Sequence, residues 1–149
     1  MENDREDALM LVRLIYASRS SGPITDEVIE AVLAKSRDSN PDAGITGVLC
    51  VCQGGVFMQV LEGGREEVNL LYGRVLRDTR HTNVTLLEYA ELTERRFSSW
   101  RMGRVDLNKL NAGIILKYSE KPQLDPFQLP GCVALAFLEE LLNTASIVG

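Results

Sequence analysis

The stretch I-T-G-V-L-C-V-C-Q-G-G-V-F-M-Q-V-L-E-G-G, residues 45–64, decides the fold of this chain. It contains two runs with the composition of β-strands, 45–52 and 56–62. The runs are separated by Q-G-G at 53–55, and paired glycines are favoured at the centre of a tight hairpin. The stretch therefore predicts two antiparallel strands.

Upstream of this hairpin, the sequence predicts a strand followed by a helix. Residues 8–17 are apolar with one charge, which is typical of a central strand buried on both faces. Thr25 is a candidate N-cap, and apolar residues recur after it at helical spacing up to Ser39. Pro41 then ends the predicted helix.

Downstream of the hairpin, the pattern changes from strand to helix and back to strand. After two glycines, apolar residues recur at i, i+3, i+4, i+7 and i+8, which predicts a second helix. These residues are Val68, Leu71, Tyr72, Val75 and Leu76. Residues 82–91 and 99–106 are predicted as the fourth and fifth strands.

The predicted element order is βαββαββ. Because crossovers between parallel strands are right-handed, both helices lie on one face of the sheet, which predicts a ferredoxin-like α+β sandwich. The other face needs a cover. The proline-rich residues 117–131 are a predicted connector, and an apolar helix predicted over 133–147 covers that face, alone or with a partner subunit. This interpretation divides the chain into a sheet domain, 1–106, and a C-terminal helical cap, 107–149.

Composition and charge exclude several classes of protein. The chain has 149 residues, 45% of them hydrophobic and 25% charged, which predicts one folded domain rather than a disordered or collagen-like chain. Its net charge of -5 comes without a basic stripe, so nucleic acid and anionic membranes are not expected partners.

The same sequence predicts a cytoplasmic protein that does not cross a membrane. Residues 1–7 are acidic and carry no secretory signal, and the longest apolar run, 133–138, is too short to span a bilayer. The cysteine count of 3 is odd. Cys50 and Cys52 share a strand face, so they are interpreted as reduced structural thiols rather than metal ligands.

The common hydrolytic templates are absent from the sequence. It contains no G-x-S-x-G, no H-E-x-x-H and no Walker motif, and its single histidine offers no pair for a metal site. Gly63 and Gly64 precede a helix, but without a following Lys-Ser/Thr they are typical of a strand-to-helix turn. The sequence therefore does not predict an enzyme.

Polar and aromatic residues inside apolar strands are the informative ones. Gln59 shares a strand face with Phe57, and a buried amide needs hydrogen-bond partners. Tyr16 ends the first predicted strand, whereas Trp100 and Met102 share a face of the predicted fifth strand. Each residue taken alone is compatible with core packing. Together they predict a ligand slot between the sheet and the two helices.

Six segments resemble, in order and spacing, the BLUF family of blue-light-sensing flavin domains. They are L-V-R-L-I-Y-A-S (11–18), S-N (39–40), G-I-T-G-V-L (44–49), F-M-Q-V-L-E-G (57–63), D-T-R-H (78–81) and F-S-S-W-R-M-G (97–103). The resemblance covers about residues 9–106 and implies a noncovalently bound flavin between the two helices. FAD is the expected flavin, with FMN or riboflavin as alternatives.

The resemblance also implies roles for individual residues. Tyr16 matches the family's photoactive tyrosine, and Gln59 matches the glutamine between that tyrosine and the flavin ring. Trp100 and Met102 match the pair on the fifth strand that responds to light. The further cofactor-binding positions that it implies are Ser36, Asn40, Arg74, Asp78 and His81. For His81, a cation stabilised by the helix macrodipole is an equal alternative.

These residues predict a stand-alone photoreceptor that is not an enzyme. Light is expected to drive proton-coupled electron transfer from Tyr16 and to rearrange the hydrogen bonds of Gln59. The chain is then expected to signal to a downstream partner protein through the helix at 133–148, and to form a homo-oligomer, a dimer or larger.

Two alternatives remain open at this point. One is a colourless regulatory or dimerisation module. The other is an acylphosphatase-like hydrolase, because residues 51–57 loosely resemble that family's phosphate loop, although Met58 stands where its arginine is expected. A bound yellow pigment distinguishes both alternatives from the photoreceptor.

Overall fold

A computed structural model describes residues 10–37 and 44–149 of the chain. The strands are β1 (Leu11–Ser20), β2 (Thr46–Cys52), β3 (Val56–Gly64), β4 (His81–Leu92) and β5 (Gly103–Asp106). The α-helices are α1 (Asp26–Arg37), α2 (Arg65–Arg77), α3 (Ala112–Leu116) and α4 (Gly131–Leu141). In these two ranges no helix is both long enough and apolar enough to cross a bilayer. The predicted α+β class and the βαββαββ order are confirmed.

The hairpin of β2 and β3 forms as predicted. Gly54 and Gly55 make the turn with positive φ angles of 77° and 76°, a backbone conformation that glycine adopts without steric cost. Gly47 is required for a different reason. A Cβ atom at this position would lie 1.9 Å from the Val60 carbonyl oxygen, so only glycine allows the two strands to approach this closely.

Strand β1 lies inside the sheet, whose order is β4-β1-β3-β2-β5. It pairs antiparallel with both β3 and β4. Its predicted end at residue 17 is too early, because Arg19 and Ser20 still pair with neighbouring strands. The strand continues through these polar residues, because its hydrogen bonds join backbone groups and do not require apolar side chains. Residues 8 and 9 of the prediction lie outside the described part of the chain.

One face of the sheet, called the helix face below, is covered by α1 and α2. Thr25 caps α1 as predicted, since its Oγ1 accepts a hydrogen bond of 3.2 Å from the Val28 N–H. The predicted end of this helix at Ser39 and Pro41 lies outside the described residues. The buried apolar side chains of this face are Val12, Leu14, Tyr16, Ile29, Val32, Leu33, Leu49, Val51, Phe57, Leu61, Val68, Leu71, Val75 and Met102.

The opposite face, called the cap face below, is covered by the C-terminal segments. Its buried core includes Cys50 and Cys52, as their shared strand face predicts, together with Phe97, Phe137 and Leu138. This arrangement confirms that a C-terminal helix packs over the second face of the sheet.

The predicted length of that helix is wrong, because α4 ends at Leu141 rather than at residue 147. The Thr144 hydroxyl donates to the Leu141 carbonyl at 2.8 Å and accepts the Ser146 N–H at 3.2 Å, which turns the chain. Val148 then pairs with Arg104 of β5 through two backbone hydrogen bonds of 2.8 and 2.9 Å.

The prediction that Trp100 and Met102 share a face of the fifth strand is also wrong. Strand β5 begins at Gly103, so both residues precede it. Outside a ladder the backbone need not alternate between two faces. Met102 is buried on the helix face, whereas Trp100 packs against the cap-face core.

Candidate functional site

A chain of buried polar side chains crosses the helix face at the middle of the sheet. Tyr16 of β1 and Gln59 of β3 are direct cross-strand partners, and both are fully buried. The Tyr16 hydroxyl donates to Gln59 Oε1 at 2.5 Å. Gln59 Nε2 donates to Ser36 Oγ at 3.0 Å and lies 3.2 Å from Met102 Sδ. The Ser36 hydroxyl in turn donates to the Val32 carbonyl.

The Gln59 amide can satisfy its neighbours in two orientations. In the observed one, its oxygen faces the Tyr16 hydroxyl and its NH₂ group faces Ser36 and Met102. After a flip, NH₂ would donate to the phenolic oxygen, and the amide oxygen could accept from the Ser36 hydroxyl once that hydroxyl turned away from the Val32 carbonyl. Since the Met102 thioether is only a weak acceptor, the amide gives up little on that side. The site therefore has the properties of a two-state hydrogen-bond switch.

The Tyr16 phenol is neutral in this environment. Burial, reinforced by the nearby Tyr72 and the charge of Asp78, raises its pKa far above the usual value. A neutral phenol releases an electron readily only if its proton leaves as well. The Gln59 oxygen, 2.5 Å away, is placed to take part in that proton movement.

A second polar group joins the C-terminal ends of the two helices. Asp78, directly after α2, contacts Arg80 Nη1 with both carboxylate oxygens at 3.0 Å and lies 3.7 Å from Lys35 Nζ of α1. Burial alone would raise the pKa of Asp78, but the hydrogen bonds and charge of Arg80 and the charge of Lys35 lower it below the usual value. The carboxylate is therefore ionised at neutral pH.

His81 lies at the start of β4, between the two polar groups. Its Nδ1 is 2.8 Å from Ser18 Oγ, and its ring contacts Phe57 and Tyr16 edge-on, with centroids 5.6 and 6.2 Å apart. Burial mainly, with the charges of Arg80 and Lys35, lowers its pKa despite the opposing charge of Asp78. A neutral imidazole does not fit the alternative of a helix-stabilising cation.

The structure brings together some of the predicted site residues and separates others. Tyr16, Gln59, Ser36 and Met102 are in direct contact, as described above. Asp78 and His81 lie near Tyr16, and half-buried Arg74 belongs to α2. Trp100 lies away from the amide, on the cap face. Asn40 lies outside the described residues.

The chemistry of these groups fits a flavin. A flavin ring presents hydrogen-bonding groups along one edge and apolar faces, and its side chain in FMN or FAD carries phosphate. The helix face offers the Gln59 NH₂ group, which contacts Ser36 Oγ and the weak sulfur acceptor of Met102, among apolar side chains such as Leu33 and Leu71. Cationic Arg74 and Lys35 lie toward the ends of the two helices.

The sequence interpretation missed a buried ionic cluster on the cap face. Arg13 contacts the fully buried Glu62 at 3.5 Å and the partly exposed Glu88 at 2.8 Å. Glu62 also accepts backbone N–H groups from the segment between β4 and β5. The available signal was the charge of Arg13 and Glu62 inside otherwise apolar strands, since charges are rarely buried without a partner.

The sequence profile of the family described as "BLUF: Sensors of blue-light using FAD" matches residues 11–103. Among curated proteins, the chain is 36% identical over 93 residues to photoactivated adenylate cyclase subunit beta of Euglena gracilis. It is 33% identical over 98 residues to the blue light- and temperature-regulated antirepressor BluF of Escherichia coli. The alignments cover 62% and 66% of this chain but only 11% and 24% of those relatives.

Two solved structures superpose on more than nine-tenths of this chain. The photo-activated state of BlsA superposes with a TM-score of 0.79 at 32% identity, covering 92% of this chain and 98% of BlsA. The dark-state structure of BlrB, described as a BLUF protein, gives a TM-score of 0.74 at 27% identity and covers 91% of this chain and 96% of BlrB.

Proposed function

Because the chain belongs to the BLUF family, we propose that it is a blue-light receptor that binds FAD noncovalently between α1 and α2. The observation that carries this proposal is the buried contact chain from Tyr16 through Gln59 to Ser36 and Met102. The flavin supplies blue-light absorption and an excited state that accepts an electron. Flavin binding is a property of the family, and the choice of FAD over FMN or riboflavin is part of the proposal.

Individual side chains have different roles in this proposal. Tyr16 gives up an electron together with its phenolic proton, because burial makes the phenolate unfavourable. Gln59 takes part in the proton movement and changes orientation. Ser36 and Met102 accept from its NH₂ group in the observed orientation, and Arg74, Asp78 and His81 line the cofactor region.

The output of the receptor is proposed to be a protein contact rather than a reaction. The two curated relatives differ in this respect, since one is a photoactivated adenylate cyclase subunit and the other an antirepressor. In this chain, residues 107–149 form a cap that packs on the sheet and carries the signal to a downstream protein. A homo-oligomer and a cytoplasmic location belong to the same proposal.

The test is a light–dark difference spectrum of the purified holoprotein. The native protein should carry an oxidised flavin, identified after extraction, and blue light should shift its band reversibly to longer wavelength. Gln59→Leu should retain the pigment and lose the shift, and Tyr16→Phe should also bind flavin without the ordinary photocycle.

Matched controls separate the switch from general effects of substitution. Gln53→Leu changes an amide in the hairpin turn of the same sheet, and Tyr89→Phe removes a hydroxyl from an exposed tyrosine of β4. Both should photocycle normally. A colourless protein that takes up no flavin on refolding would refute the proposal, and a normal photocycle in Gln59→Leu would exclude that amide as the switch.

A further inference from the structure

The segment that places Met102 beside Gln59 is not part of the sheet ladder. It runs from the end of β4 at Leu92 to the start of β5 at Gly103. Because regular strand pairing does not hold it, its position depends on the packing of Phe97 and Met102 and on a few specific hydrogen bonds. The segment 93–102 is called the Met102 loop below.

Glu62 makes the most deeply buried of these contacts. Its side chain is fully buried, and Oε1 accepts the backbone N–H groups of Arg96 at 2.9 Å and Phe97 at 2.8 Å. Hydrogen bonds to an ionised carboxylate are about twice as strong as neutral ones. The other tethers lie nearer the surface or are neutral, such as the Gly47 N–H to the Trp100 carbonyl and Arg37 Nη2 to the Met102 carbonyl.

The other carboxylate oxygen of Glu62 contacts the guanidinium of Arg13 on the cap face. Oε2 lies 3.5 Å from Arg13 Nη1, and Arg13 is fixed by Glu88 at 2.8 and 3.4 Å. Burial disfavours a charged guanidinium, but the hydrogen bonds and charges of Glu88 and Glu62 outweigh this effect and raise the pKa of Arg13. The carboxylate of Glu62 is thus compensated and cannot rotate away without losing a partner.

Glu62 occupies a strand that connects the loop directly to the switch. It lies three residues after Gln59 on β3 and points to the opposite face of the sheet. Its cross-strand partner is Arg13, just as the partner of Gln59 is Tyr16. The strand that carries the switching amide therefore also anchors the loop that brings Met102 Sδ within 3.2 Å of that amide.

We propose that Glu62 is a positioning residue of the photoswitch, whose carboxylate fixes the Met102 loop to β3 and thereby holds Met102 against Gln59. This role rests on the proposed photoreceptor function. It also gives the cap face a share in the light response, because Phe97, which Glu62 binds through its N–H group, is a buried member of the cap-face core.

The test compares full-length holoproteins with Glu62→Met, Glu62→Gln and Glu62→Asp. Methionine keeps the length but accepts no strong hydrogen bond, so amide hydrogen exchange in the Met102 loop should rise in darkness. Recovery of the dark state after a blue pulse should slow by about tenfold, because the loop no longer returns Met102 to Gln59. Glutamine retains an acceptor oxygen and should stay much closer to the native rate.

The aspartate variant and a control at Glu88 keep the test decisive. Glu62→Asp keeps the charge but withdraws it by one methylene, so it tests the same role if the methionine variant does not fold. Glu88→Gln alters the same ionic cluster without touching the loop, and its recovery rate should stay within about twofold of native.

A double-mutant cycle with Met102→Ala identifies the route of the effect. If Glu62 acts by positioning Met102, the change in recovery caused by Glu62→Met should vanish in the Met102→Ala background. An equal change in both backgrounds, or unchanged loop exchange in Glu62→Met, would overturn the inference. Absence of a photocycle in the native protein would instead refute the proposed function. The hydrogen-exchange measurement in darkness would still test whether Glu62 holds the Met102 loop.

Discussion

Two cross-strand pairs lie three residues apart on β1 and β3 and face opposite sides of the sheet. On the helix face, Tyr16 and Gln59 are neutral and can exchange donor and acceptor roles. On the cap face, Arg13 and Glu62 are charged, and Glu62 is committed to two backbone N–H groups. A neutral pair can change state at low cost, whereas a buried ionic pair resists any change. In the proposed photoreceptor, the same two strands would carry both the amide that changes orientation and the carboxylate that holds the neighbouring loop.

Removal of the charge that compensates Glu62 should have the largest effect on stability. Arg13→Met leaves a fully buried carboxylate without its cation, and breaking a buried pair in this way costs about 3–5 kcal/mol. Urea unfolding in darkness at a fixed flavin concentration measures the loss.

The matched control is Arg65→Met. Arg65 pairs with Glu91 at an exposed position, with 45% and 65% of the two side chains accessible, so this loss should stay below about 1 kcal/mol. Equal losses at Arg13 and Arg65 would show that the cap-face cluster is no more rigid than a surface ion pair.

The neutral pair should be less costly to break. Tyr16→Phe removes the phenolic donor and leaves Gln59 Oε1 without that partner, which should reduce the free energy of unfolding by about 1–2 kcal/mol. The measurement is urea unfolding under the conditions used for Arg13→Met. A loss as large as that of Arg13→Met would contradict the contrast between the two pairs.

The smallest effect concerns pH and is expected on the helix face. The folded protein lowers the pKa of His81 below 6.5, so the contribution of neutral His81 is fully present above pH 6.5 and is lost as pH falls through the folded pKa. Between pH 7.5 and 5.5 the free energy of unfolding should therefore fall, and by less than the loss expected for Tyr16→Phe.

His81 is the one histidine of the chain, so a single substitution removes all imidazole titration. His81→Gln should remove most of the pH dependence in that range. If the variant keeps the full dependence, a group other than the imidazole titrates there.

Periodic patterns were enough to predict the sheet and its two covering helices. The alternation around Gln59 and the helical spacing from Val68 are local signals, and each element that they predicted is present. The prediction of the hairpin needed only the paired glycines Gly54 and Gly55. The short helix Ala112–Leu116 was missed because five residues give too little periodicity to recognise.

The path of the chain around Met102 could not be predicted from local pattern. Its conformation depends on Glu62, more than thirty residues earlier, and on the Gly47 N–H group. The segment F-S-S-W-R-M-G has the composition of a strand but lacks ladder partners before Gly103. The proximity of Tyr16 and Gln59 was implied by the family resemblance. The placement of Trp100 and Met102 on opposite faces was not predicted, because it depends on these distant contacts.

The order of the strands also decides when the chain can become light-sensitive during its synthesis. Within the described sheet, only β2 and β3 are paired neighbours that also follow each other along the chain. Tyr16 must wait for a partner 43 residues later, and Arg13 for Glu88, 75 residues later. At about 5–20 residues per second, a ribosome takes several seconds to supply the second of these partners. The apolar strand β1, the first to be made, is thus exposed longest, and the photochemical pair can form only when distant parts of the chain have met.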